Sequence, residues 1–194
     1  MKFDQIDILL LHLLGKDGRA NLTQLGKQVG LSHSSVRDRL LKLEKADAVH
    51  IRGLINPNHF NLITAFILIE SASEKGRIRI LDTYSKCPRV IFVASVIGHY
   101  DIIALVYAED RGLLEVLLSS CFLRKKLDIR QSSVMIIGTE LEPPFLPINI
   151  PIKDIKSEIS SCGLNCKECI KFQQQICIGC PVASIYRGSF NISP

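Results

Sequence analysis

Three stretches of this chain carry side chains whose types and spacing could do chemistry. The first reads Cys162-Gly-Leu-Asn-Cys166-Lys-Glu-Cys169, then seven residues, then Cys177-Ile-Gly-Cys180-Pro181. Each Cys-x-x-Cys pair presents two thiolates that can close on one ion, and Gly179 lets the backbone fold tightly there. Two such pairs suit a tetrahedral zinc held by Cys166, Cys169, Cys177 and Cys180, which leaves Cys162 surplus. Four thiolates also hold a [4Fe–4S] cluster, and Cys-x3-Cys-x2-Cys followed at a distance by Cys-Pro is compatible with one. Disulfides or free thiols are the remaining reading, less expected of clustered cysteines in a reducing compartment. Cys87 and Cys121 stand apart in the sequence and read as small buried hydrophobes.

The second stretch spans 21–46. Leu22, Leu25 and Val29 recur at i, i+3 and i+7, and Val36, Leu40 and Leu43 recur similarly after Gly30. Two short amphipathic helices joined by a tight glycine turn follow from that pattern, with Asn21 and Ser32 as N-caps. The opposite side of the second helix carries Ser34, Ser35, Arg37, Asp38, Leu41 and Lys42. Hydroxyls can bond base edges, Asp38 can accept from a cytosine amine, and Arg37 and Lys42 can meet phosphates or guanine. An ordinary helical hairpin is the competing reading. Arg39 either reaches DNA or pairs with Asp7, and its place beside the buried stripe favours the pair. The third stretch, Gly98-His99-Tyr100-Asp101, lies between two apolar runs and either closes a hairpin or helps to form an effector pocket.

The elements that must position these groups can be read in order. A first helix over 3–15 carries Ile6, Leu9, Leu10, Leu13 and Leu14, with Asp4 and Asp7 in its first turn, where the helix dipole favours acids. With the two helices above it makes a three-helix unit. Residues 49–55 read as a strand broken by Asn56-Pro57-Asn58. Beyond it come a strand at 62–72, a helix at 75–86 ended by Pro88, strands at 90–97 and 102–108, a helix at 111–122 capped by Asp110, and a strand at 129–138. That βαββαβ order is the split, ferredoxin-like arrangement, in which helices cover one sheet face and the other needs a partner. Four prolines at 143, 144, 147 and 151 stiffen a linker to the cysteine module. The expected fold class is α+β: 1–50 helix-turn-helix, 51–61 connecting strand or linker, 62–142 ferredoxin-like domain, 143–157 proline-rich linker, 158–194 cysteine-rich metal module.

Hydrophobic content of 47% supports a real core, and the net charge is +5. The excess sits at the ends, with a balanced middle, which suits a nucleic-acid-binding head and a basic tail. No apolar run approaches the roughly 20 residues of a membrane span, and the first residues lack a signal-peptide layout, so a cytoplasmic protein with no membrane partner is expected. An enzyme is not expected: no Ser/His/Asp set, phosphate loop or paired carboxylates appear.

The pattern resembles the Lrp/AsnC family of feast-famine transcription regulators over about 3–142. It rests on Asp4-x-x-Asp7-x-x-Leu10, Asp17-Gly18-Arg19-Ala20, Leu25-Gly26-x-x-Val29-Gly30-Leu31-Ser32 and Val36-x-x-Arg39-Leu40-x-x-Leu43-Glu44, followed by Gly98-x-Tyr100-Asp101. The resemblance implies a helix-turn-helix joined to a RAM domain that pairs into homodimers and larger oligomers on double-stranded palindromic operators. It also implies an amino-acid effector near Gly98, Tyr100 and Asp101. Two features depart from the family: Lys45-Ala46-Asp47-Ala48 stands where a glycine is common, and some fifty residues extend beyond 142. Docking on transcription or translation machinery through the cysteine tail is the alternative reading of function.

Overall fold

The computed structural model describes residues 3–124, 127–151 and 157–190. They fall into two compact units, Met1–Gly53 and Leu54–Pro194. Parts of the expected linker and cysteine module, 152–156 and 191–194, lie outside the described residues. No helix among the described residues is long and apolar enough to cross a membrane.

In the first unit, α1 (Gln5–Lys16) begins with a reciprocal cap. Asp4 accepts the Asp7 backbone N–H at 2.8 Å and Asp7 accepts that of Asp4 at 3.1 Å. α2 (Leu22–Val29) is capped by Asn21 and ends at Gly30 in left-handed geometry, φ 71°. α3 (His33–Lys45) starts at Ser32, whose hydroxyl accepts the Ser35 N–H. The chain enters α3 so close to α2 that a Cβ on Gly26 would lie 2.5 Å from the Leu31 carbonyl oxygen. Leu10, Leu14, Leu25, Val36, Leu40 and Leu43 form the core between the three helices. Asp47 takes φ 53°, so an aspartate supplies the left-handed turn after α3.

Arg39 is turned inward. Its Nη1 donates to Asp4 Oδ2 and Asp7 Oδ1, both at 2.7 Å, so the internal pair is what forms. Asp7 is only 7% exposed, and without the guanidinium its carboxylate would lose a charged partner. Arg39→Ala is expected to destabilise the head by about 1–2 kcal/mol in urea unfolding at neutral pH. The Asp7 N–H, and next the Arg39 guanidinium, hold the Asp4 carboxyl below its ordinary value of 3.8. A depressed folded-state pKa stabilises above the unfolded value and is lost as pH falls through the folded one. The difference between wild type and Arg39→Ala is therefore expected to shrink as the unfolding pH is taken below the carboxylate range.

In the second unit, β1 (Ile63–Ser71), α4 (Glu74–Ser85), β2 (Val90–Ser95), β3 (Ile102–Ala108), α5 (Arg111–Leu117) and β4 (Ile129–Ile136) follow in the expected βαββαβ order. The sheet is antiparallel throughout, in the order β2-β3-β1-β4. Beyond Leu117 the fifth helix widens into a π-type turn over Leu118–Phe122. Ala65, Ile67, Ile69, Ala104 and Val106 pack under α4 and α5 with Ile80, Tyr84, Leu114 and Leu117.

One expectation fails. Residues 49–55 form no strand; a single bridge joins Ile55 to Leu146 in the proline-rich stretch. The strand-like composition is there, but among the described residues the pairing stops at that one bridge, too short for a ladder. The proline-rich stretch is in turn anchored, because Ile148 packs with Leu62, Tyr107, Tyr186 and Phe190 in a second small core. Tyr107 alternates with Val106 and Ala108 of the helix-side core, so this core covers one end of the opposite sheet face. The cysteine segment thus packs on the αβ domain, with Cys177 and Ile178 reaching the helix-side core.

Candidate nucleic-acid interface and cysteine cavity

α3 divides cleanly. Val36, Leu40 and Leu43 are buried, and Ser34, Ser35, Arg37, Asp38 and Lys42 are all exposed. Ser34 and Ser35 hydroxyls lie 3.0 and 2.9 Å from the capping Ser32 hydroxyl, so the helix start presents a cluster of three. Arg37 donates from Nε and Nη2 to Asp38 Oδ1, both at 3.2 Å. That pair is fully on the surface, where ion pairs contribute little, so DNA can claim either partner cheaply. Leu41 shares the exposed side as its spacing predicts, and Lys45 joins it there.

The Gly98–Asp101 turn closes the β2–β3 hairpin. The Asp101 carboxylate accepts the Ser71 backbone N–H at 3.0 Å and also the Ser71 hydroxyl. Its backbone N–H donates to the Ile69 carbonyl. Asp101 is thereby committed to latching the hairpin onto β1. Tyr100 is half-buried with its ring 4.9 Å from that of His99, and Gly98 is exposed.

The C-terminal cysteines meet the αβ domain around one cavity of about 40 Å³. Its wall includes Cys162, Cys166, Cys177 and Cys180, together with Cys87 after α4 and Cys121 after α5; Cys169 is not part of it. The two cysteines that stood alone in the sequence are thus brought to the cluster. Burial pushes the Cys166 thiol up to about 11 and Cys87 up to about 12, and raises Cys121, Cys177 and Cys180 as well. Backbone N–H groups act the other way: Gly179 on Cys177, Cys180 on Cys166, and Ser161 and Val182 on Cys180. Gly179, at φ 89°, is what lets that loop turn back. Arg89 completes the wall at 2% exposure. Both its terminal nitrogens donate to Glu109, which also accepts the Tyr186 hydroxyl. Among the described residues no three His, Cys, Asp or Glu side chains stand close enough together to hold a single ion.

Comparison with known proteins decides what the first unit is for. Residues 3–44 match the AsnC-type helix-turn-helix domain. HTH-type transcriptional regulator LrpA of Mycobacterium tuberculosis is 30% identical over 144 residues, 70% of this chain and 91% of LrpA. The chain belongs to the Lrp/AsnC family. A second relative, the HTH-type transcriptional regulator PH0140 of Pyrococcus horikoshii, is 30% identical over 117 residues, 59% of this chain and 73% of its own. The crystal structure of M. tuberculosis LrpA, there called a leucine response regulatory protein, superposes with TM-score 0.64 at 28% identity, covering 72% of this chain and 94% of LrpA. The transcriptional regulator NMB0573 of Neisseria meningitidis, solved as its L-Met complex, shares the fold with TM-score 0.64 at 24% identity, covering 72% of this chain and 92% of NMB0573.

As an Lrp/AsnC protein the chain is a DNA-binding transcription regulator and not an enzyme. The helical head and the four-stranded αβ domain are the family's two parts. What reading the Lrp/AsnC sequence missed was the joining of Cys87, Cys121 and Arg89 to the cysteine segment. No local signal carries that, because the three residues are drawn together only by the turns after α4 and α5.

Proposed function

We propose that this regulator works as a homodimer, or a larger even assembly, that lays two copies of α3 on a two-fold symmetric operator. The observation that carries this is the clean split of α3, with its apolar stripe sealed in the head and its polar side free. Arg37 and Lys42 grip phosphates or guanines, Ser34 and Ser35 lie near bases, and Asp38, released from Arg37, accepts from cytosine. The second sheet face supplies the pairing surface. Phe92, Leu105, Phe66 and Met135 stand opposite one another across all four strands, and Phe92 and Met135 remain 41% and 49% exposed. An apolar row of that length on an otherwise complete domain is supported best by a second copy on the same face.

Modulation has two candidate inputs. An amino-acid effector at the Gly98–Asp101 turn would be met by Tyr100 and main-chain groups, since Asp101 is already engaged with Ser71. The cysteine segment holds a metal, zinc or an iron–sulfur cluster, and the gathering of its thiols on one cavity supports that reading.

Selection of bound duplexes from a random pool by the full chain tests the DNA reading. The expected product is a two-fold symmetric consensus with half-sites about 10 bp, or a multiple of that, apart. Absence of any consensus would overturn it and favour docking on transcription machinery instead.

A further inference from the structure

We infer that the cavity between the cysteine segment and the αβ domain is a [4Fe–4S] site ligated by Cys162, Cys166, Cys177 and Cys180, with Arg89 in its wall and Cys169 outside it. This rests on the reading that the segment holds a metal, and it names which metal and which thiols.

Geometry argues against a zinc knuckle. Four sulfurs each about 2.3 Å from one tetrahedral ion must stand within about 4 Å of one another. The thiols here line a common space without three of them converging on a point. A cluster that keeps its four ligands apart suits thiols spread around a wall. The zinc set read from the two Cys-x-x-Cys pairs also requires Cys169, which the cavity excludes, and discards Cys162, which the cavity includes.

Charge argues the same way. Two ferrous and two ferric irons with four sulfides make a doubly positive core with no net redox change on assembly. Each of the four thiols gives its proton to solvent and forms one S–Fe bond, so core and thiolates together are doubly negative. Burying such a group requires donors and a cation. The Gly179 N–H, 3.4 Å from the Cys177 sulfur, is one donor, and the Ser160 hydroxyl, 3.2 Å from the Cys162 sulfur, is another. Arg89 is the cation. Its Nε is buried without a hydrogen-bond partner, although the terminal nitrogens are satisfied by Glu109. A buried guanidinium N–H left unpaired is costly, and an anionic cluster against this wall supplies the missing acceptor. Cys87 and Cys121, contributed by the αβ domain, line the same wall, and the four ligands assigned are the lining thiols of the C-terminal segment. The cluster then ties the C-terminal segment to itself and meets the αβ domain through Arg89 and the two lining cysteines.

The test is metal and sulfide analysis of the full chain purified without oxygen, with absorption spectra, beside Cys162→Ser, Cys166→Ser, Cys169→Ser and Cys87→Ser. The expected result is about four irons and four acid-labile sulfides per chain and a broad band near roughly 400 nm. Cys162→Ser and Cys166→Ser lose most of the iron and the band; Cys169→Ser and Cys87→Ser keep both, with unchanged far-ultraviolet circular dichroism. One zinc per chain, lost in Cys169→Ser and kept in Cys162→Ser, would overturn the inference while leaving the metal reading intact. Neither zinc nor iron in the wild type, even after anaerobic incubation with each metal, would overturn both.

Discussion

Replacing Arg37 and Lys42 together by alanine is expected to lower operator affinity by about a hundredfold or more and to leave fold and oligomer unchanged. Both side chains project from the solvent side of α3 and neither supports the head's core. Arg37 is tied only to its neighbour Asp38, in a surface pair whose loss costs the fold almost nothing. On DNA the two cations act differently from the hydroxyls beside them. A cation at a phosphate contributes through counterion release, so removing two should flatten the salt dependence of log K by about 1.8 per chain if both meet phosphates. If Arg37 instead reads a guanine, its loss costs about 1–3 kcal/mol and relaxes one position of the consensus. Gel-shift titrations of wild type and double variant at several salt concentrations separate these outcomes. Unchanged affinity at every salt concentration would remove α3 from the interface.

Charging the sheet face should be equally severe for assembly. Phe92→Glu with Met135→Glu is expected to raise the dimer dissociation constant at least a thousandfold. Two carboxylates per chain would be buried without partners in the pairing surface, at several kcal/mol each. The isolated domain should tolerate them. Both positions are exposed in the single chain, on the side away from the helix-side core, so thermal unfolding should shift little. The rings of Phe66 and Phe92 meet edge to face, centroids 6.3 Å apart, and Phe66 keeps the row apolar in its middle. Light scattering at micromolar concentration should find twice the chain mass, or a larger even multiple, for the wild type and a loss of that pairing in the variant. Operator affinity should fall with it, because one head holds one half-site. A variant that stays dimeric would place the pairing surface elsewhere.

Most of the fold could be read because its signals are local. Asn21, Ser32 and Asp110 announce helix starts by their own side chains, and Gly30 ends α2 where a positive φ is required. Apolar spacing then assigns the βαββαβ order without knowledge of the third dimension. Residues 49–55 misled for the converse reason: a strand needs a neighbour, and composition does not say whether one is present. The polar face of α3 was legible because helical periodicity alone fixes what lies opposite Val36, Leu40 and Leu43. The Gly98–Asp101 turn could be located but not interpreted, since the latch between Asp101 and Ser71 joins residues thirty apart. The cysteine site was half legible. Spacing found the five clustered thiols, but which of them share a wall, and that Cys87, Cys121 and Arg89 join them, depends on how the segment folds back over α4 and α5.

Two α3 helices, carried by one dimer, are expected to read one face of a duplex. Hydroxyl-radical footprinting of the wild-type chain on its selected operator measures this directly. Two protected patches are expected on the same face of the helix, about 10 bp or a multiple of that apart, both lost in the Arg37→Ala, Lys42→Ala variant. A single patch, or continuous protection that the variant preserves, would contradict it.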